Sequence, residues 1–118
     1  MSKLKIQDPI KFLDEYRGKV FNGEWPTIPE MFDITTERYP DRPCFTDFEG
    51  PNGAKNTLTY TQAHEKIVQL AKWLAANGVK HGDRVAVTGK NSPEWAVVYL
   101  AALYAGAIVC PLDYALKI

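Results

Sequence analysis

Cysteine and histidine, the sulfur and imidazole ligands of metals, are scarce in this sequence. It has two cysteines and two histidines. Cys44, Cys110, His64 and His81 each lack a second cysteine or histidine at zinc-ligand spacing. The histidines are therefore expected to be solvated or locally bonded, and the cysteines to be buried thiols in a reducing compartment rather than a disulfide. An excess of one charge is missing too. Fourteen Lys and Arg cancel fourteen Asp and Glu, which removes bulk electrostatics as a basis for holding nucleic acid or an anionic membrane. The opening residues, MSKLKIQDPIKF, carry no secretory apolar run. Cytoplasm is the expected compartment.

A membrane span is absent for a subtler reason. Residues 95–112 hold almost no charge and are about long enough. Gly106 interrupts them, Ile108 and Val109 favour strand, and Pro111 cannot continue a helix. The helical part would cover only ~20 Å of a ~30 Å hydrocarbon core. It reads as a buried helix followed by a buried strand.

What is present is an ordinary globular composition, 46% hydrophobic and 24% charged over 118 residues. One domain spanning 1–118 is expected, with residues 1–26 as a helical extension and 27–118 as its body. Asp8-Pro9 opens a first helix that Gly18 stops, with Phe12, Leu13 and Tyr16 as its apolar stripe. Thr27 and Glu30 have capping-box spacing before a helix carrying Ile28, Met31, Phe32 and Thr35 on one face, closed by Pro40. Residues 43–48 and 57–59 read as strands, paired as a hairpin around Gly50-Pro51-Asn52-Gly53. Thr59 and Gln62 repeat the capping box, ahead of an amphipathic helix with Ala63, Ile67, Leu70, Ala71 and Leu74 inward and Glu65, Lys66, Gln69 and Lys72 outward. Asn77-Gly78 ends it. Trp73 lies off that stripe and is expected to meet a second neighbour.

Residues 82–112 then read strand, helix, strand. Ser92 caps a helix that begins with Pro93 and carries no charge from Trp95 to Ala105. Such a helix must be packed on several sides. The link is too long for a hairpin, so the flanking strands are expected to run parallel through a right-handed crossover. The fold class is α/β: a partial parallel sheet with flanking helices, the βαβ crossover at 84–112, plus a short N-terminal β-hairpin.

Catalytic patterns are mostly lacking. Thr88-Gly89-Lys90-Asn91 joins a strand to a helix N-terminus, a common phosphate position. A P-loop there would need glycine where Arg84 stands and Ser or Thr where Asn91 stands. Ser92 is not in a nucleophile elbow, since Lys90 and Glu94 occupy the glycine positions; it reads as a cap. Asp47, Asp83 and Asp113 fall near strand ends, where both active-site residues and turn-forming carboxylates occur. Tyr99 and Tyr104 read as core or interface aromatics whose hydroxyls need a partner. No catalytic, cofactor-binding or metal-binding residue is assigned.

The series Leu58-Thr59-Tyr60, Gly82-Asp83-Arg84-Val85, Asn91-Ser92-Pro93-Glu94-Trp95, Gly106-Ala107 and Pro111-Leu112-Asp113 resembles the N-terminal region of the AMP-forming adenylating enzymes. Residues 27–45, TIPEMFDITTERYPDRPCF, look most like the acyl-CoA synthetases, including the long-chain fatty acid type. The chain departs from that pattern at Gln62-Ala63, where the family usually has Glu-Leu. The resemblance implies a fragment of the large N-terminal domain of an enzyme that uses ATP, Mg2+ and coenzyme A to activate a carboxylic acid as an acyl-adenylate and pass on the acyl group. The residues that perform this chemistry lie downstream in such enzymes, so only scaffold carries over. The implied partner is the rest of the parent enzyme, and the chain alone is expected to be inactive and to self-associate. A free-standing interaction module, or a small nucleotide-binding protein using the Gly89-Lys90 loop, are the other readings.

Overall fold

The structure, a computed structural model, describes residues 26–116. The helix expected at 8–18 lies outside them. The first described helix, α1 (Ile28–Arg38), begins as its capping box requires. The Thr27 hydroxyl accepts from the Glu30 N–H, and the Glu30 carboxylate accepts from the Thr27 N–H at 3.0 Å. Its apolar face is only partly covered by described residues, however: Phe32 packs on the core while Ile28 and Met31 do not. No residue of α1 is buried, and Ile28 and Met31 are 53% and 48% exposed.

Strands β1 (Pro43–Asp47) and β2 (Asn56–Thr59) form the expected antiparallel hairpin, with a bulge between Pro43 and Phe45. The connection, residues 48–55, contains a 3-10 turn, Pro51–Gly53, in which Asn52 takes φ 62°. Asn tolerates that left-handed conformation because its short polar side chain bonds locally. Thr59 ends β2 and at once caps α2 (Tyr60–Ala76), its hydroxyl accepting from the Gln62 N–H. The strand therefore feeds the helix with no linker.

Helix α2 buries Ala63, Ile67 and Ala71, one residue per turn. Trp73 is 59% exposed, so the second neighbour its place off the stripe suggested is not among the described residues. At the helix end the Gly78 N–H donates to the Ala75 carbonyl and the Val79 N–H to Leu74. These two bonds are a Schellman closure.

Strand β3 (Arg84–Val87) and β4 (Ile108–Pro111) pair in parallel, with Arg84 beside Ile108 and Val87 beside Pro111. Helix α3 (Pro93–Tyr104) connects them. It ends in a second Schellman closure: the Gly106 N–H donates to Leu103 and the Ala107 N–H to Ala102. Gly106 has φ 79°, and a Cβ there would stand 2.9 Å from His81 Nδ1. Both its backbone angle and its neighbour require glycine.

Helix α3 is the middle of the structure. Val97 and Ala101 meet Ala63, Ile67 and Ala71 of α2 in the core, and Phe32, Phe45, Leu58 and Leu100 close over this cluster. On another side α3 lies against β3 and β4. Four of its twelve residues are buried, Pro93, Val97, Ala101 and Ala102, as an uncharged helix demands. Alanine at the α2–α3 seam lets the two backbones approach closely.

Candidate functional site

Parallel α/β sheets place ligands in the crevice beyond the carboxyl ends of their strands. Here that position is the β3–α3 turn, Thr88 to Ser92. Three open clefts converge on it. One of about 410 Å³ runs between Val87, the Gly89-Lys90 backbone, Trp95 and Val98. A second, about 450 Å³, shares Gly89, Lys90 and Trp95 and is closed by Leu112, Asp113 and Tyr114. A third, about 470 Å³, joins Asn91 and Ser92 to the end of β1 from Cys44 to Glu49. The chain after β4 is held beside the turn by the Leu112 N–H, which donates to the Val87 carbonyl at 2.8 Å.

Two side chains of this turn are already engaged. The Ser92 hydroxyl accepts from the Trp95 N–H at 3.2 Å, the capping role its sequence position implies. Lys90 Nζ sits 5.7 Å from the centre of the Tyr114 ring, a cation–π distance. Trp95 and Tyr99 pack ring against ring at 5.2 Å. The three strand-end carboxylates take the turn-forming role. Asp83 accepts from the Lys80 N–H at 2.7 Å, Asp47 from Glu49 at 3.0 Å and Asp113 from Ala115 at 2.9 Å. Each bond lies within three residues, the signature of a local turn rather than of a site assembled from several strands.

Away from the turn, the structure joins residues that the sequence leaves apart. Asp33 of α1 accepts at one carboxylate oxygen from His64 Nε2 of α2 at 2.8 Å and from the Tyr104 hydroxyl of α3 at 2.6 Å. The Pro29 carbonyl also lies 3.0 Å from that hydroxyl. Burial pushes the Tyr104 hydroxyl well above its ordinary range, and the bond to Asp33 and its negative charge push the same way. His64 lies parallel to Phe32, and Phe32 lies parallel to Phe45. Its sequence position, on the polar side of α2, suggests a solvated or locally bonded residue. It is instead a contact between helices, 31 residues from its partner. Periodicity could not find it, because nothing near His64 in the sequence marks Asp33. Both donors are spent on one carboxylate, so the cluster's chemistry is attachment of α1.

Cys44 and Cys110 are both free thiols. Burial pushes Cys44 up to about 11, which keeps it protonated and a poor nucleophile at neutral pH.

The parallel pair, the crossover helix between its strands and the helix-borne seam together define an α/β class of scaffold. The AMP-binding enzyme family matches residues 32–118, and this chain belongs to that family. It is 33% identical over 110 residues to the long-chain-fatty-acid–CoA ligase heimdall of Drosophila melanogaster, covering 91% of this chain and 15% of that protein. It is 33% identical over 97 residues to a polyketide synthase–nonribosomal peptide synthetase of Aspergillus clavatus, covering 81% of this chain and 2% of that one. Among solved structures it is similar to the N-terminal subdomain of NpsA from Klebsiella oxytoca, with a TM-score of 0.71 and 28% identity over 79% of this chain and 23% of that one. The chain thus spans a small part of the length of the relatives it matches.

The family implies ATP and Mg2+. Asp47, Asp83 and Asp113 are each committed to a backbone amide, and no three His, Cys, Asp or Glu side chains among the described residues stand together as a metal site. Ser92 is spent as a cap and Lys90 lies over a ring. Among the described residues no helix is long and apolar enough to cross a membrane.

Proposed function

We propose that this chain is a scaffold element of an ATP-dependent acid–thiol ligase of the acyl-CoA synthetase kind. On this reading residues 1–118 form a single domain belonging to the larger N-terminal domain of a cytoplasmic enzyme. The parent activates a carboxylic acid, of the fatty acid class, as its acyl-adenylate and then passes the acyl group to coenzyme A. The chain supplies no catalytic, nucleotide-binding or metal-binding residue. Its contribution is indirect: α3 and the β3–β4 pair hold a wall of the fold, and the remaining enzyme provides the groups that stabilise charge at the α-phosphate.

One observation carries this reading. Parallel strands occur with both faces covered, yet here Ile108 on the face of β4 away from α3 is 51% exposed. With it on that face stand Arg84, Ala86 and Cys110. A two-stranded parallel pair open on one side is expected to be completed by further strands and helices. The likeness to fatty-acid ligases and to a nonribosomal synthetase supports the same activation chemistry.

ATP–pyrophosphate exchange with fatty acids tests the reading on two proteins. The 118-residue chain should give none, and robust exchange by it alone would refute the scaffold role. The product of the same reading frame followed past Ile118 should exchange and, with coenzyme A, release acyl-CoA; a stop codon directly after Ile118 would instead favour a free-standing interaction module.

A further inference from the structure

Two Asn-Gly pairs stand among the described residues, Asn52-Gly53 in the hairpin connection and Asn77-Gly78 at the end of α2; Asn22-Gly23 lies outside them. Asparagine before glycine carries a latent reaction, because the glycine nitrogen, with no Cβ beside it, is free to attack the side-chain amide carbon. The two described pairs are alike in what surrounds them. All four residues are exposed, and a Cβ added at either glycine would meet nothing within 4 Å. They differ in how firmly each is held.

We propose that Asn52 is a site of self-modification in the folded chain, losing its side-chain amide to give aspartate and isoaspartate, and that the fold protects Asn77 from the same fate. The Gly53 nitrogen bonds to Asn52 Cγ, the Cγ–Nδ2 bond breaks, and ammonia leaves with the proton of the Gly53 amide. Water then opens the cyclic imide at either carbonyl, and nothing is oxidised or reduced. Closing that ring needs the glycine nitrogen on the Cβ side of the asparagine Cα–C bond. With ψ 24° at Asn52 and 18° at Asn77, it stands on the far side in both. Each pair must therefore leave its folded conformation before the atoms can meet, and the cost of that local opening decides the rate. At Asn52 the opening breaks the bond from the Gly53 N–H to the Gly50 carbonyl at 2.8 Å. It also breaks one from the Ala54 N–H to Pro51 at 3.4 Å, longer than an ordinary N–H···O bond. At Asn77 three bonds of ordinary length hold. The Gly78 N–H donates to Ala75 at 3.2 Å, the Val79 N–H to Leu74 at 3.0 Å, and the Asn77 Nδ2 to the Trp73 carbonyl at 2.8 Å. The last also pins the group under attack, and among the described residues the Asn52 amide has no anchor of that kind. Two further bonds lower the open population by roughly thirtyfold. The products differ in consequence. Aspartate tolerates the φ of 62° at residue 52 much as asparagine does, whereas isoaspartate adds a carbon to the main chain of the turn.

Ageing the full chain in mildly alkaline buffer, then resolving its peptides by mass spectrometry, tests the proposal. Asn52 should lose its amide roughly tenfold or more faster than Asn77, with isoaspartate among the products. In urea the two rates should converge, because only the shared Asn-Gly chemistry remains. Similar rates in buffer, or a faster Asn77, would overturn the proposal. So would an Asn52 that keeps its amide in buffer while losing it in urea, since the turn would then be the protecting element.

Discussion

Helices α2 and α3 share one seam and differ everywhere else. Along the seam both offer small residues, Ala63 and Ala71 from one and Ala101 from the other, closed around Ile67 and Val97. On its far side α2 turns Glu65, Lys66, Gln69 and Lys72 to solvent. The far side of α3 has no charge beyond Glu94 and lies against β3 and β4. The comparison teaches that a helix's composition counts the sides on which it is covered. α2 was shaped as an outer helix, α3 as an inner one.

A charge placed on each helix breaks that comparison most sharply. Val97 is 7% exposed, so Val97→Asp buries an unpaired carboxylate at a cost of about 3–5 kcal/mol, a large part of the stability of a small domain. Urea unfolding should show a collapsed midpoint. On α2 the reverse exchange, Lys72→Leu, should move the midpoint by no more than about 0.5 kcal/mol. A tolerated aspartate at 97 would mean that α3 is not an inner helix.

The seam itself comes next. Ile67 is the largest fully buried side chain among the described residues, and Ile67→Ala should cost about 2–5 kcal/mol through lost burial and the cavity left behind. Calorimetry should show the corresponding fall in Tm.

The two helices should respond alike at their starts, which sharpens what the difference is about. Thr59 and Ser92 each accept from the N–H three residues on. Thr59→Ala and Ser92→Ala should each cost about 1 kcal/mol. A much larger loss at Ser92 would mean that its hydroxyl does more than cap.

The last effect expected is alkaline. The folded state holds the Cys44 proton more tightly than the unfolded chain does, since burial raises it from 9.0 to about 11. The unfolded chain therefore releases that proton first as pH rises. Stability from this source is intact below pH 9.0 and is lost as pH climbs towards 11. Cys44→Ser should flatten the stability profile in that window, while the raised Tyr104 leaves a further decline above pH 10.0.

Much of this was legible in the residues themselves. Both capping boxes, the hairpin at Asn52-Gly53 and the parallel pairing of β3 and β4 follow from short-range chemistry or from the length of a connection. Three features did not show. Trp73 is exposed although its place off the stripe suggested a neighbour, because one aromatic there does not say whether anything faces it. Ile28 and Met31 of α1 stay open to the described residues, because a stripe predicts that burial is favourable and not what supplies it. The bond from His64 to Asp33 was hidden because its partners meet only after three helices have packed.

For this chain the sequence alone determined where α1, α2 and α3 begin, which face of α2 is dry, and that α3 lies inside. Those follow from capping, periodicity and the cost of exposing apolar surface, all of which act within a few residues. Only the tertiary structure decided that Asp33, His64 and Tyr104 share one carboxylate oxygen, that His81 leaves no room for a side chain at residue 106, and that Asp47, Asp83 and Asp113 are spent on turns. Such contacts depend on distances between segments far apart in the chain, and those distances exist only once the helices have packed.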